Sequence, residues 1–175
     1  MISYKKAQEI INKNINQVEK SELINLEECI SRVLSKDYKA KKNSPEFDKS
    51  SMDGVVIQKK DLNKKKRFKI VGESKAGDVS SEEIKSGEAK LIFTGAPIPN
   101  GTKKIVIIKE YIETIDKKFV TITKNIKSAI SNIRSKGIDY KKGEVCLKKN
   151  SVLNSRSLSL AYALNLDKLK VIKKP

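Results

Sequence analysis

The chain has 175 residues and a formal net charge of +17, with 38% hydrophobic and 34% charged residues. That length suits one or two domains with a buried core, and no apolar run approaches the roughly 18 residues of a spanning helix, which excludes an α-helical membrane span. There is no histidine, and Cys29 and Cys146 stand far apart, so a zinc site and a histidine-based triad are excluded by inventory.

Positive charge is a weak guide to function here. Lysine carries nearly all of it: arginine occurs only at Arg32, Arg67, Arg134 and Arg156, and the one lysine cluster is Lys64-Lys65-Lys66. Nucleic-acid grooves add arginine forks and stacking aromatics to a basic stripe, and aromatics are only 5%, so a nucleic-acid partner is not expected. The lysines read as a solvated surface that concentrates anionic partners. The polar start, Met1 to Lys6, lacks an apolar signal core, which predicts a cytoplasmic location.

Ala7, Ile10, Ile11, Ile15 and Val18 recur at three- and four-residue spacing and predict a helix from about Ser3 to Glu19. Ser3 is its N-cap, and the narrow apolar stripe is expected on the core, with a dimer contact as the minority reading. Leu23 to Leu26 reads as extended. Glu27 to Leu34 has helical character, with Glu27 and Glu28 in the first turn and Cys29 as a small buried hydrophobe.

Short runs rich in Val, Ile and Phe follow at residues 55–57, 68–71, 89–93, 105–108 and 119–122. Residues 143–147 read as a strand, a helix runs from an Asn154 or Ser155 cap to near Asn165, and 168–172 form a last strand. The fold class expected is α+β. A mostly-β inserted domain, a small barrel or sandwich, occupies residues 45–139, and an elongated mixed α/β domain is built from residues 1–44 and 140–175.

Three loops could carry chemistry. Ser44 to Gly54 packs aspartates and serines into a turn-rich stretch before the Val55-Val56-Ile57 strand, which presents carboxylates and hydroxyls from an anchored platform. In Phe93 to Gly101, Thr94 precedes Gly95-Ala96, a pattern that offers a hydroxyl and free N–H groups to an oxyanion. Ser131 to Asp139 sets Arg134 near Asp139, for which a local ion pair is the simple explanation. Gly72 to Asp78 is a further small-residue loop, or merely a polar turn.

Together the stretches SPEFDKSSMDG, GESKAGD, GEAKLIFTGAPIPNGTKKIVIIKE and NIRSKGIDYKKGEVCLKKNSVLN resemble the amino-terminal half of the molybdopterin molybdenumtransferase (MoeA-type) family, which includes the E domain of gephyrin. The resemblance implies insertion of molybdenum from molybdate into the dithiolene of adenylylated molybdopterin, with release of AMP. It implies magnesium held mainly by a nucleotide-binding domain beyond this chain, an elongated homodimer, and molybdopterin adenylyltransferase as pathway partner.

Asp53, Thr94 and Asp139 match the family's functional acidic and hydroxyl positions, with Ser51, Gly95 and Arg134 on the substrate side; Glu110 matches a recurrent position without an assigned step. Lys49 stands where the family commonly has asparagine, and Gly101-Thr102-Lys103 where Gly-Ala-Asp is common, so the region is more basic. The rival reading is a non-catalytic dimerisation or scaffold module of the same fold.

Overall fold

The computed structural model describes residues 1–15, 20–79, 83–101, 103–116, 118–123, 126 and 131–174. In chain order the elements are α1 (Tyr4–Asn14), β1 (Ser21–Asn25), β2 (Tyr38–Lys39), β3 (Lys49–Ser50), β4 (Gly54–Gln58), β5 (Arg67–Ser74) and β6 (Glu88–Ile92). They continue as β7 (Lys104–Ile108), β8 (Ile112–Ile115), β9 (Phe119–Ile122), β10 (Ile133–Arg134), β11 (Val145–Leu147), α2 (Ser155–Ala163) and β12 (Lys168–Ile172). The chain is thus mixed α and β. It forms two compact units, one from Met1–Lys41 with Gly143–Pro175 and one from Lys42–Lys142.

In the first unit β1 pairs antiparallel with β12, and β2 with β11. Asn154 caps α2 by accepting from the Ser157 amide, and Leu158 and Ala161 bury the inner face. The sequence expectation of a helix over Glu27–Leu34 is wrong. Only a single 3-10 turn forms at Leu26–Glu28; Ser31 then takes φ 63°, and Val33 and Leu34 bridge to Val152 and Val171. Long-range pairing of two β-branched or aliphatic residues outweighs a weak local helical preference. Cys29 is buried as expected, and burial pushes its thiol pKa up.

The helix α1 begins at its Ser3 cap, but it buries no residue, and Ile10, Ile11 and Ile15 stay exposed. The expectation that its stripe packs on this chain's core is therefore corrected. Val18 and the expected end at Glu19 lie outside the described residues.

The second unit is built on a six-stranded sheet of order β7-β4-β6-β5-β9-β8, antiparallel except for the parallel β5–β6 pair. The sheet is open, with β7 and β8 at its edges. β4 is buried along its whole length because it lies between two strands and carries core on both faces. Val55 and Ile57 pack with Phe68, Ile105, Ile107 and Val120 on one face; Val56 packs with Ile84, Ile92, Ala96 and Ile98 on the other. The alternation is the period-two signature of a strand buried from both sides.

Gly54 meets a hard steric limit: a Cβ there would lie 1.9 Å from the Ile107 carbonyl oxygen of β7. The stretch read as a loop from Gly72 is strand as far as Ser74, followed by a turn in which Asp78 accepts from the Lys75 amide.

Candidate functional site

β6 and β7 both run antiparallel to β4, so their exits lie beside its entrance. Gly54 pairs with Ile92 on one side and Ile108 on the other, which brings the residues following both strands to Asp53. Asp53 Oδ1 accepts from the Thr94 amide at 2.7 Å and from Thr94 Oγ1 at 2.9 Å, and Oδ2 accepts from Lys109 Nζ at 3.2 Å. These bonds, Thr94 N–H first, then its hydroxyl and Lys109, hold the Asp53 carboxyl below the usual carboxylate range, so it is ionised at neutral pH.

β3 lies between two of the three sequence-selected loops. On one side Lys49 and Ser50 pair with Arg134 and Ile133 of β10. On the other, the Ser50 amide donates to Ala96 O, the Gly95 amide donates to Ser50 O, and the Ile98 amide donates to Asp48 O, all at 2.9 Å. Ser51 continues the link through its amide to Asn132 O. Ser74 is buried and its hydroxyl donates to Pro97 O at 2.9 Å, bracing the Thr94 loop from β5.

Asp139 belongs to a second centre. Arg134 donates to its Oδ1 at 2.5 Å and the Ser44 hydroxyl to its Oδ2 at 3.2 Å. Backbone bonds from Asp139 N to Ser44 O and from Gly137 N to Pro45 O join this loop to the start of the first one. Of the sequence-selected residues, Asp53 and Thr94 are in direct contact, Arg134 and Asp139 form the expected local ion pair, and β3 joins the two centres through the main chain. Ser51 and Gly95 enter through backbone bonds.

The expectation that Gly95-Ala96 offers free N–H groups is corrected. The Thr94 amide is held by Asp53, the Gly95 amide by Ser50 O and the Ala96 amide by Phe93 O. What remains presentable is side-chain chemistry, chiefly the Lys109 ammonium and the Arg134 guanidinium, each anchored by a carboxylate with donors to spare. Lys109 was missed at the sequence level, although its neighbour Glu110 was noted. Its signal is the β4–β7 register, which sets residue 109 opposite Asp53 once Ile108 faces Gly54. Glu110 follows in the same 3-10 turn and is exposed.

Among the described residues no three Cys, Asp or Glu side chains come together in a way that could hold a metal. Both oxygens of Asp53 already accept hydrogen bonds. This donor set does not by itself fit a magnesium ion, which wants several oxygen ligands around one point.

The chain belongs to the family described as the MoeA N-terminal region (domain I and II), whose model matches residues 2–165. It is similar to a molybdopterin molybdenumtransferase of Haemophilus influenzae, 35% identical over 150 residues, covering 86% of this chain and 37% of that protein. One from Staphylococcus aureus (strain Mu50) is 34% identical over 174 residues, covering 95% of this chain and 41% of that one. A solved molybdopterin biosynthesis moeA protein from Pyrococcus horikoshii OT3 matches with a TM-score of 0.87 at 30% identity, covering 100% of this chain and 47% of that one. The chain therefore spans about two fifths of the length of these curated relatives.

Proposed function

We propose that this chain is the amino-terminal region of a molybdopterin molybdenumtransferase, acting in molybdenum cofactor biosynthesis. In the complete enzyme, molybdenum from molybdate enters the dithiolene of adenylylated molybdopterin and AMP is released. The observation that carries this reading is the Asp53–Thr94–Lys109 cluster, set where the β6 and β7 exits meet the β4 entrance in a family member.

Molybdate is an anion, so Asp53 and Asp139 do not bind it. Each instead fixes a cation: Asp53 holds Lys109 and Asp139 holds Arg134. An ammonium with one bond committed keeps two N–H donors, and a guanidinium keeps more, so each fixed cation can still meet an oxyanion. The Thr94 hydroxyl spends its proton on Asp53, so its part is to hold that carboxylate in place rather than to donate to the oxyanion. The roles proposed are thus positioning for Asp53 and Asp139, and anion contact for Lys109 and Arg134. Ser51 and Gly95 keep the two loops in register.

A homodimer is part of the proposal, and the exposed Ile10, Ile11 and Ile15 of α1 support it. So are delivery of the adenylylated pterin by a molybdopterin adenylyltransferase, a cytoplasmic location, and magnesium bound outside this region. The test is molybdenum insertion by a full-length enzyme carrying this region. Asp53→Asn is expected to abolish insertion while the protein stays folded by circular dichroism. Lys109→Ala is expected to raise the molybdate KM about tenfold, as loss of one charge-assisted contact would. Normal kinetics in both variants would refute the assignment.

A further inference from the structure

A second cleft lies in the same unit, lined by residues to which the proposed activity gives no role. A cleft of about 510 Å³ is lined by Asp48, Lys59, Ile98, Lys103, Lys104, Ser135 and their neighbours, and none of Ser51, Asp53, Thr94, Gly95, Arg134 or Asp139 lines it. Its volume falls in the range of small-molecule sites. The floor is apolar, from Ile98, Pro99 and Ile133, and the polar wall is rich in donors, from the lysines with Ser131 and Ser135.

The fold concentrates the charge deliberately. The β4–β7 ladder ends at Gln58 opposite Lys104, and the Lys59 amide then bonds to Lys103 O, which sets Lys59 beside Lys103, with Lys60 and Lys104 next to them along the chain. Lys59 and Lys103 also line an adjoining cavity of about 260 Å³ together with Lys60. Lys104 differs from ordinary surface lysines: its side chain is only 2% exposed, with Nζ donating to Asn100 O at 2.9 Å and 4.0 Å from Glu83. Burying an ammonium is costly, and burial lowers its pKa, although Glu83 opposes this. Asp48 brings one carboxylate to the wall, and its Oδ1 is occupied by the Lys136 amide.

We propose that this cleft binds a phosphate-bearing small molecule, with Lys59 and Lys103 gripping the oxyanion, the serine hydroxyls completing its hydrogen bonds and the apolar floor accommodating an organic part. Inorganic pyrophosphate and ADP share the oxyanion and differ in that organic part, so they are the two probes. Each is titrated into the full chain by calorimetry and by amide-resolved NMR.

Saturable one-site binding is expected, with shifts centred on Gly101, Lys103, Ser131 and Ser135. The Lys59→Glu/Lys103→Glu double variant is expected to weaken it at least about tenfold, and the charge-matched Lys5→Glu/Lys64→Glu control less than about twofold. Tighter binding of ADP than of pyrophosphate identifies an organic phosphate as the occupant; equal binding identifies the bare oxyanion. The proposal is overturned if both double variants weaken binding alike, if the shifts fall elsewhere, or if neither probe saturates. None of these substitutions touches Asp53 or Lys109, so failure here leaves the molybdenum assignment standing.

Discussion

Asp53 is the residue on which the proposed chemistry turns, and its ionisation has a sign that can be measured. Its folded pKa is depressed, chiefly by the Thr94 amide and hydroxyl and then by Lys109. The native state therefore binds fewer protons than the unfolded chain between the folded pKa and the unfolded value of about 3.9. The bonds to Thr94 are expected intact above that window and lost as pH falls through the folded pKa. The Thr94 amide shift in an NMR titration should report this, and Asp53→Asn should flatten it. Lys104 has the same directional logic on the basic side. Its folded pKa is lowered by burial, so wild-type stability should rise with pH from the folded pKa to about 10.4. Lys104→Met should remove that slope in urea unfolding measured across alkaline pH. Gly54 is a steric case: its absent Cβ leaves room for Ile107 O, and Gly54→Ala is expected to cost at least about 2 kcal/mol in thermal unfolding.

Between elements, the candidate site is a consequence of strand direction. Two antiparallel neighbours deliver their exits to the β4 entrance, and the parallel β5 braces the Thr94 loop from beyond β6. Ser74→Ala removes a buried donor and leaves Pro97 O short of a partner, so a loss of about 1–2 kcal/mol is expected by urea unfolding. Faster amide exchange at Gly95 and Ala96 should accompany it, because both amides lie in the loop that Ser74 ties down through Pro97. Asp61 shows the same economy away from the site. Burial pushes its carboxyl pKa up, but bonds from the Gly87 amide and the Ser86 hydroxyl, with Lys65 and Lys60 nearby, hold it below the ordinary range.

For the whole molecule, the two units suggest a dissection. At the boundaries of the second, the Ser44 amide bonds to Tyr140 O and the Lys142 amide to Asn43 Oδ1, so its ends meet. Residues 42–142 expressed alone are expected to fold, with dispersed amide NMR signals and a cooperative melt; a collapsed spectrum would show that the sheet needs the first unit.

Much of the local structure was legible in the order of residues. The Val/Ile/Phe runs marked β4, β5, β6, β7 and β9 of the sheet, Ser3 and the Asn154-Ser155 pair marked helix starts, and Ser44–Gly54, Phe93–Gly101 and Ser131–Asp139 marked the loops that β3 joins through the main chain. These are short-range signals, set by alternation, capping and turn chemistry. Tertiary structure alone decided that the Gly95-Ala96 amides are spent, that Glu27–Leu34 is mostly not helix, that α1 stands exposed, and that Lys109 holds Asp53. For the Gly95 amide, for Glu27–Leu34 and for Lys109 the physical reason is the same: each depends on which distant backbone or side chain arrives as a partner, and strand order and register settle that only when the strands pair.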